Sequence, residues 1–116
     1  MNKRIHIAPA IKLSLVNKNS DAKSVLGKGV VTLMRYIDEG HSLNKAAKEM
    51  NMAYSKAWRI IKNTSDALDC ELVKRTRPTG SELTVQGKIL LDLYNQMEEH
   101  LNTEAEAYFD ELIKKL

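Results

Sequence analysis

Between residues 40 and 62 the chain reads GHSLNKAAKEMNMAYSKAWRIIK, and its apolar positions fall into two helical registers around a short polar corner. In the first, Leu43, Ala46, Ala47 and Met50 recur at i, i+3, i+4 and i+7, with Ser42 placed as an N-cap. In the second, Ala57, Ile60, Ile61, Thr64 and Leu68 repeat the spacing, while Ser55, Lys56, Arg59, Lys62 and Asn63 fall on other faces. Two helices crossing steeply through a three- or four-residue turn need small side chains at the closest approach, and Ala46, Ala47 and Ala57 supply them. Asn51 stands at the corner, where positive φ is often needed and asparagine tolerates it. The pattern predicts a helix-turn-helix over residues 42–68.

The flanking segments complete a domain. Residues 4–16 are rich in Ile, Leu and Val, with Ile11, Leu13 and Leu15 alternating with Lys12 and Ser14, which predicts a strand that Pro9 divides or confines to a sheet edge. Residues 17–24 are polar and turn-like. A helix is expected over 28–39, with Val30, Leu33, Met34 and Ile37 on one face and Gly40 as its terminator. Residues 72–83 hold two short strand signals around Arg77-Pro78-Thr79-Gly80, where proline at i+1 and glycine at i+3 fit a type I turn. From an N-cap at Thr84, a last helix reaches nearly to Leu116, spanning about 45 Å at 1.5 Å per residue. Its apolar positions Ile89, Leu90, Leu93, Met97, Leu101, Ala105, Tyr108, Leu112 and Leu116 outrun what a three-helix core covers. The same helix of a second copy is the favoured cover, through Ile89, Leu93, Met97, Leu101, Tyr108 and Leu112; folding back on its own domain or another partner are the alternatives. The fold class expected is mainly α with a small β component: a winged helix-turn-helix domain over 1–83 with an N-terminal strand, then a dimerisation helix over 84–116.

Charge divides at the same boundary. Residues 1–83 carry 15 Lys and Arg against 8 Asp and Glu, a net of +7, whereas residues 84–116 carry 3 against 7, a net of −4. Cations that displace condensed counterions from phosphates supply much of nucleic-acid affinity, so the basic part suits a binding face and the acidic helix a part held away from it. The 116 residues exclude a large enzyme with separate cofactor and substrate domains. His6, His41 and His100 sit at no metal-ligand spacing, and neither a glycine-rich phosphate loop nor a recognisable acid pair is present, so no enzyme, metal or cofactor is expected. Cys70 is the single cysteine and reads as a small residue at a helix end, in keeping with a reducing cytoplasm. The N-terminus lacks a signal-peptide core and no apolar run reaches a membrane span, so a soluble cytoplasmic protein is expected.

Groove geometry then assigns roles. The N-terminal turns of the second motif helix would enter the major groove of double-stranded DNA, with Ser55, Lys56 and Arg59 reaching base edges and Arg59 the prime candidate for a bidentate contact to guanine. Lys45, Lys62, Lys74, Arg75 and Arg77 are assigned to phosphate, the last three on a hairpin whose composition suits a wing along the backbone or in a minor groove. Tyr54 is assigned to phosphate through its hydroxyl, with packing at the helix start an equal rival. For Trp58, packing against neighbouring helices is favoured over nucleic-acid contact. A protein-interaction module with an incidental basic face is the alternative function. Single-stranded or RNA binding is disfavoured by a 5% aromatic content.

These segments resemble the N-terminal DNA-binding domain of ModE-type molybdate-responsive regulators, relatives of the LysR-type winged helix-turn-helix, over about Gly27 to Tyr94. The likeness rests on Gly27-Lys28-Gly29 with Leu33 and Ile37, Gly40-His41-Ser42 with Ala46-Ala47, and Met52, Tyr54 and Ala57-Trp58. Leu72-Val73 and Leu83-Thr84 with Gly87 extend it. The tyrosine and Ala-Trp pair are the more specific part; the double alanine and Leu-Thr-x-x-Gly are shared with the LysR group. Glycine is common in the family where Asn51 stands, and serine where Ala53 stands. The Arg77–Gly80 turn is shorter than the ModE wing tip. The resemblance implies a DNA-binding regulator. With Leu116 the last residue, no oxyanion-sensing domain is expected, and molybdate binding is not carried over.

Overall fold

In the computed structural model, which describes residues 6–19, 25–76 and 80–116, the elements run α1 (Lys28–Asp38), α2 (Leu43–Glu49), α3 (Tyr54–Leu68), β1 (Val73–Thr76), β2 (Gly80–Leu83) and α4 (Val85–Ile113). Mostly helical with one two-stranded antiparallel sheet and a long last helix, this is a winged helix-turn-helix.

α1 buries Val30, Val31, Leu33, Met34 and Ile37 and lies across both helices of the motif. It ends where Gly40 takes a φ of 100°, and the amides of Gly40 and His41 bond the carbonyls of Ile37 and Tyr36. Ser42 caps α2, its hydroxyl accepting from the Lys45 amide at 3.1 Å. Leu43, Ala46 and Ala47 face inward, as the spacing predicts. Asn51 turns the corner in the left-handed region at φ 54°, and the Met52 amide returns to the Ala47 carbonyl at 2.9 Å. α3 then sets Ala57, Ile61 and Thr64 into the core, one per turn. Asp69, also left-handed at φ 55°, ends it.

The hairpin pairs Val73 with Leu83 and Thr76 with Gly80, and docks through buried Leu72, Val73 and Leu83. Its far strand leads directly into α4. The Thr84 amide donates to the Leu72 carbonyl at 3.0 Å, while the Thr84 hydroxyl donates to the Glu71 carbonyl at 2.5 Å and accepts from the Gly87 amide at 2.9 Å. This is the predicted N-cap, here also a splice between hairpin and helix.

α4 departs from the expected apolar set. Gly87, Leu91 and Tyr94 are the residues that bury against its own domain, with Leu90 packed beside them. Ile89, Leu93, Met97, Tyr108 and Leu112 stay exposed at 60, 40, 40, 63 and 42%, and Leu101 is half-buried. Arg35 of α1 holds the helix in place: its guanidinium bonds Asn95 at 2.6 and 3.1 Å and Glu98 at 3.1 Å. Beyond Glu98, α4 gives the molecule its long dimension, in extents of 57 × 33 × 22 Å.

The strand expected over 4–16 is not formed over residues 6–16, where one bridge pairs Leu15 with Leu26; residues 4 and 5 lie outside the described residues. The physical reason is competition for its backbone and side chains. The buried Tyr94 hydroxyl donates to the Leu13 carbonyl at 2.8 Å, Asn17 donates to the Ala67 carbonyl at 2.6 Å, and Leu13 and Leu15 lie against the core. An extended arm results, pinned by Tyr94 of α4 and by its own Asn17 to α3, and packed on the core. Burial, with the Glu98 carboxylate adding to it, pushes the Tyr94 phenol up and keeps it a proton donor.

Glycine at 87 is a close-approach requirement, since a Cβ there would collide with the Leu72 carbonyl oxygen. Gly87→Ala is expected to destabilise the protein by about 1–3 kcal/mol, whereas Gly29→Ala, whose Cβ would meet open space in α1, should be neutral or gain up to about 1 kcal/mol. Urea midpoints at unchanged m-value are the measurement.

Candidate nucleic-acid interface

The burial of Ala57, Ile61 and Thr64 dictates what α3 presents outward. At 3.6 residues per turn the opposite side carries Ser55, Lys56, Arg59, Lys62 and Asn63, all exposed. Lys45 of α2 is exposed as well. Among the described residues, Lys45, Lys56, Arg59 and Lys62 form no ion pair, so these four cationic groups stand unneutralised. Tyr54, at the first turn of α3, is 41% exposed, which places its ring at the surface. Trp58 is half-buried and packs against the core, in line with the reading favoured above.

The hairpin is electrostatically different. Lys74 is paired across the ladder with its register partner Glu82 at 3.0 Å, both side chains being more than half exposed. Arg75 lies on the Trp58 ring, 4.7 Å from its centroid. Arg77 lies outside the described residues. Sequence spacing brings Lys74, Arg75 and Arg77 together as one group; the structure sends the first to a neighbouring strand and the second to α3. No local signal could have paired Arg75 with a tryptophan 17 positions earlier. The Arg35 clamp on α4 is likewise a tertiary contact that the periodicity of either helix leaves unmarked.

The model of the bacterial regulatory helix-turn-helix protein, lysR family, matches residues 31–88. The chain belongs to this family. The match begins inside α1, spans the helix-turn-helix and both hairpin strands, and ends in the first turn of α4, so every element of the outward face described above lies within it. A lysR-family helix-turn-helix is a DNA-binding regulator domain, whose partner is double-stranded DNA and whose role is transcription regulation rather than catalysis. None of the curated proteins compared with this lysR-family chain matches it. No helix among the described residues is long and apolar enough to cross a membrane.

Cys70, just past α3, is half-buried, and burial followed by the Asp69 carboxylate pushes its thiol up. A thiol held protonated is a poor nucleophile. Alkylation by iodoacetamide at pH 7 is expected to be slower than for an unfolded control, and Cys70→Ser should leave DNA affinity within about twofold, as read by mass spectrometry and DNA titration.

Proposed function

We propose that this lysR-family chain is a sequence-specific transcriptional regulator that binds double-stranded DNA in the cytoplasm as a homodimer. The observation that carries the reading is the outward face of α3. Lys56, Arg59 and Lys62 project there without acidic partners while the opposite side is locked in the core. Such a helix fits a major groove. Ser55, Lys56 and Arg59 take base edges, with Arg59 as the guanine reader. Lys45, Lys62 and the Tyr54 hydroxyl take phosphate, with Lys74 and Arg77 of the hairpin beside them. Within the family, Met52, Tyr54 and Ala57-Trp58 favour kinship with ModE-type regulators.

In this reading residues 1–83 form the DNA-binding unit and residues 84–116 the pairing helix. Its support is the exposed apolar series Ile89, Leu93, Met97, Tyr108 and Leu112, with Leu101 half-buried between them. Water-exposed side chains of that size on one long helix favour association with a second apolar face. Two copies related by a two-fold axis would present two α3 helices to a two-fold related DNA site.

In vitro selection from a random duplex library, followed by titration at several salt concentrations, tests the function. A two-fold symmetric consensus and salt-dependent affinity are expected; an interaction module would yield neither. Arg59→Ala should cost about 1–3 kcal/mol and relax one consensus position, and Lys62→Ala should weaken all sequences alike and flatten the salt slope by about one. Sedimentation should show a dimer for the native chain and a monomer for Leu93→Glu/Met97→Glu, a charge pair that a paired apolar seam cannot accommodate.

A further inference from the structure

The two hairpin cations within the described residues are both engaged by the protein itself, and the alternation of β1 explains why. Val73 is buried, so Arg75, two residues on, shares its domain-facing side, while Lys74 points the other way toward Glu82. Facing the domain, Arg75 meets Trp58 at 4.7 Å. Trp58 in turn occupies the middle of an i, i+4, i+8 row on α3, between Tyr54 and Lys62, both of which the reading above puts on phosphate. A guanidinium is planar and stacks on an indole while keeping its N–H edge free, which an ammonium cannot reproduce.

We propose that Arg75 is a positioning residue for DNA binding. Stacked on Trp58, it fixes the hairpin against the Tyr54–Trp58–Lys62 row and so sets the attitude of α3 to the hairpin. This inference rests on the DNA-binding reading and deepens it: the contribution of Arg75 is geometric, exerted through Trp58, rather than a direct phosphate contact.

Trp58 is the single tryptophan of the chain, so its emission reports the stack in the free protein, without DNA. Arg75→Ala should shift that emission and weaken binding to the selected duplex about two- to fivefold, the size of an exposed cation–π pair, with the salt slope of the native chain. Arg75→Lys should restore affinity only in part. In a Trp58→Leu background, Arg75→Ala should cost nothing further. An unchanged emission spectrum, or a salt slope lowered by about one, would overturn the proposal and make Arg75 a phosphate contact. Should Trp58→Leu not fold, the slope and emission of Arg75→Ala decide alone. If the native chain shows no salt-dependent affinity for duplex DNA while the emission shift is present, the function reading fails, the positioning role in DNA binding fails with it, and the stack itself stands.

Discussion

The close approach of α2 and α3 is the constraint on which the rest of the molecule depends. Ala46, Ala47 and Ala57 are all buried, and larger side chains there are expected to press the two helices apart. Four residues, Met50 to Ala53, connect the helices, which leaves Asn51 in the left-handed region as the only described non-glycine residue besides Asp69 with positive φ. Once the corner is set, α1 has one groove to fill, and the orientation of α3 fixes which side chains meet solvent. The cationic face is thus a by-product of core geometry as much as of composition.

A second joint governs everything after α3. The backbone around Leu72 receives the Thr84 amide, gives the Thr84 hydroxyl an acceptor at Glu71, and lies against a glycine in the first turn of α4. Hairpin and long helix therefore leave the domain from one point. The hairpin is braced on its other flank by Arg75 on Trp58, so it is held by a backbone splice at its base and a stacked pair along its strand.

Local elements were legible in the sequence because their signals are local. Ser42 and Thr84 cap helices through a bond to an amide three residues on, Gly40 and Asn51 adopt the conformations their positions suggest, and the 3.6-residue spacing separates the buried from the exposed side of α3. Failures occurred where long-range contacts override a local pattern. Alternating Ile and Leu in the N-terminal arm reads as a strand, yet Tyr94, 81 positions away, and Asn17 bond that arm into an extended path. On α4 the exposed apolar series masks Leu91 and Tyr94 in the sequence, because an uninterrupted helix carries two apolar faces whose destinations periodicity cannot rank. Of the candidate site, the exposure of the α3 cations was legible; the partners of the hairpin cations were not, since they are decided by contacts across strands and to a distant tryptophan.

The Arg35 clamp turns α4 into a lever. Its grip lies at Asn95 and Glu98, whereas the helix runs on to Ile113, an arm of about 22 Å at 1.5 Å per residue. A pivot of roughly 10° at the clamp would sweep the tip through about 4 Å, roughly three-quarters of one helical pitch. Three hydrogen bonds from one guanidinium thereby set the aim of a rod that carries Tyr108 and Leu112 exposed toward its far end.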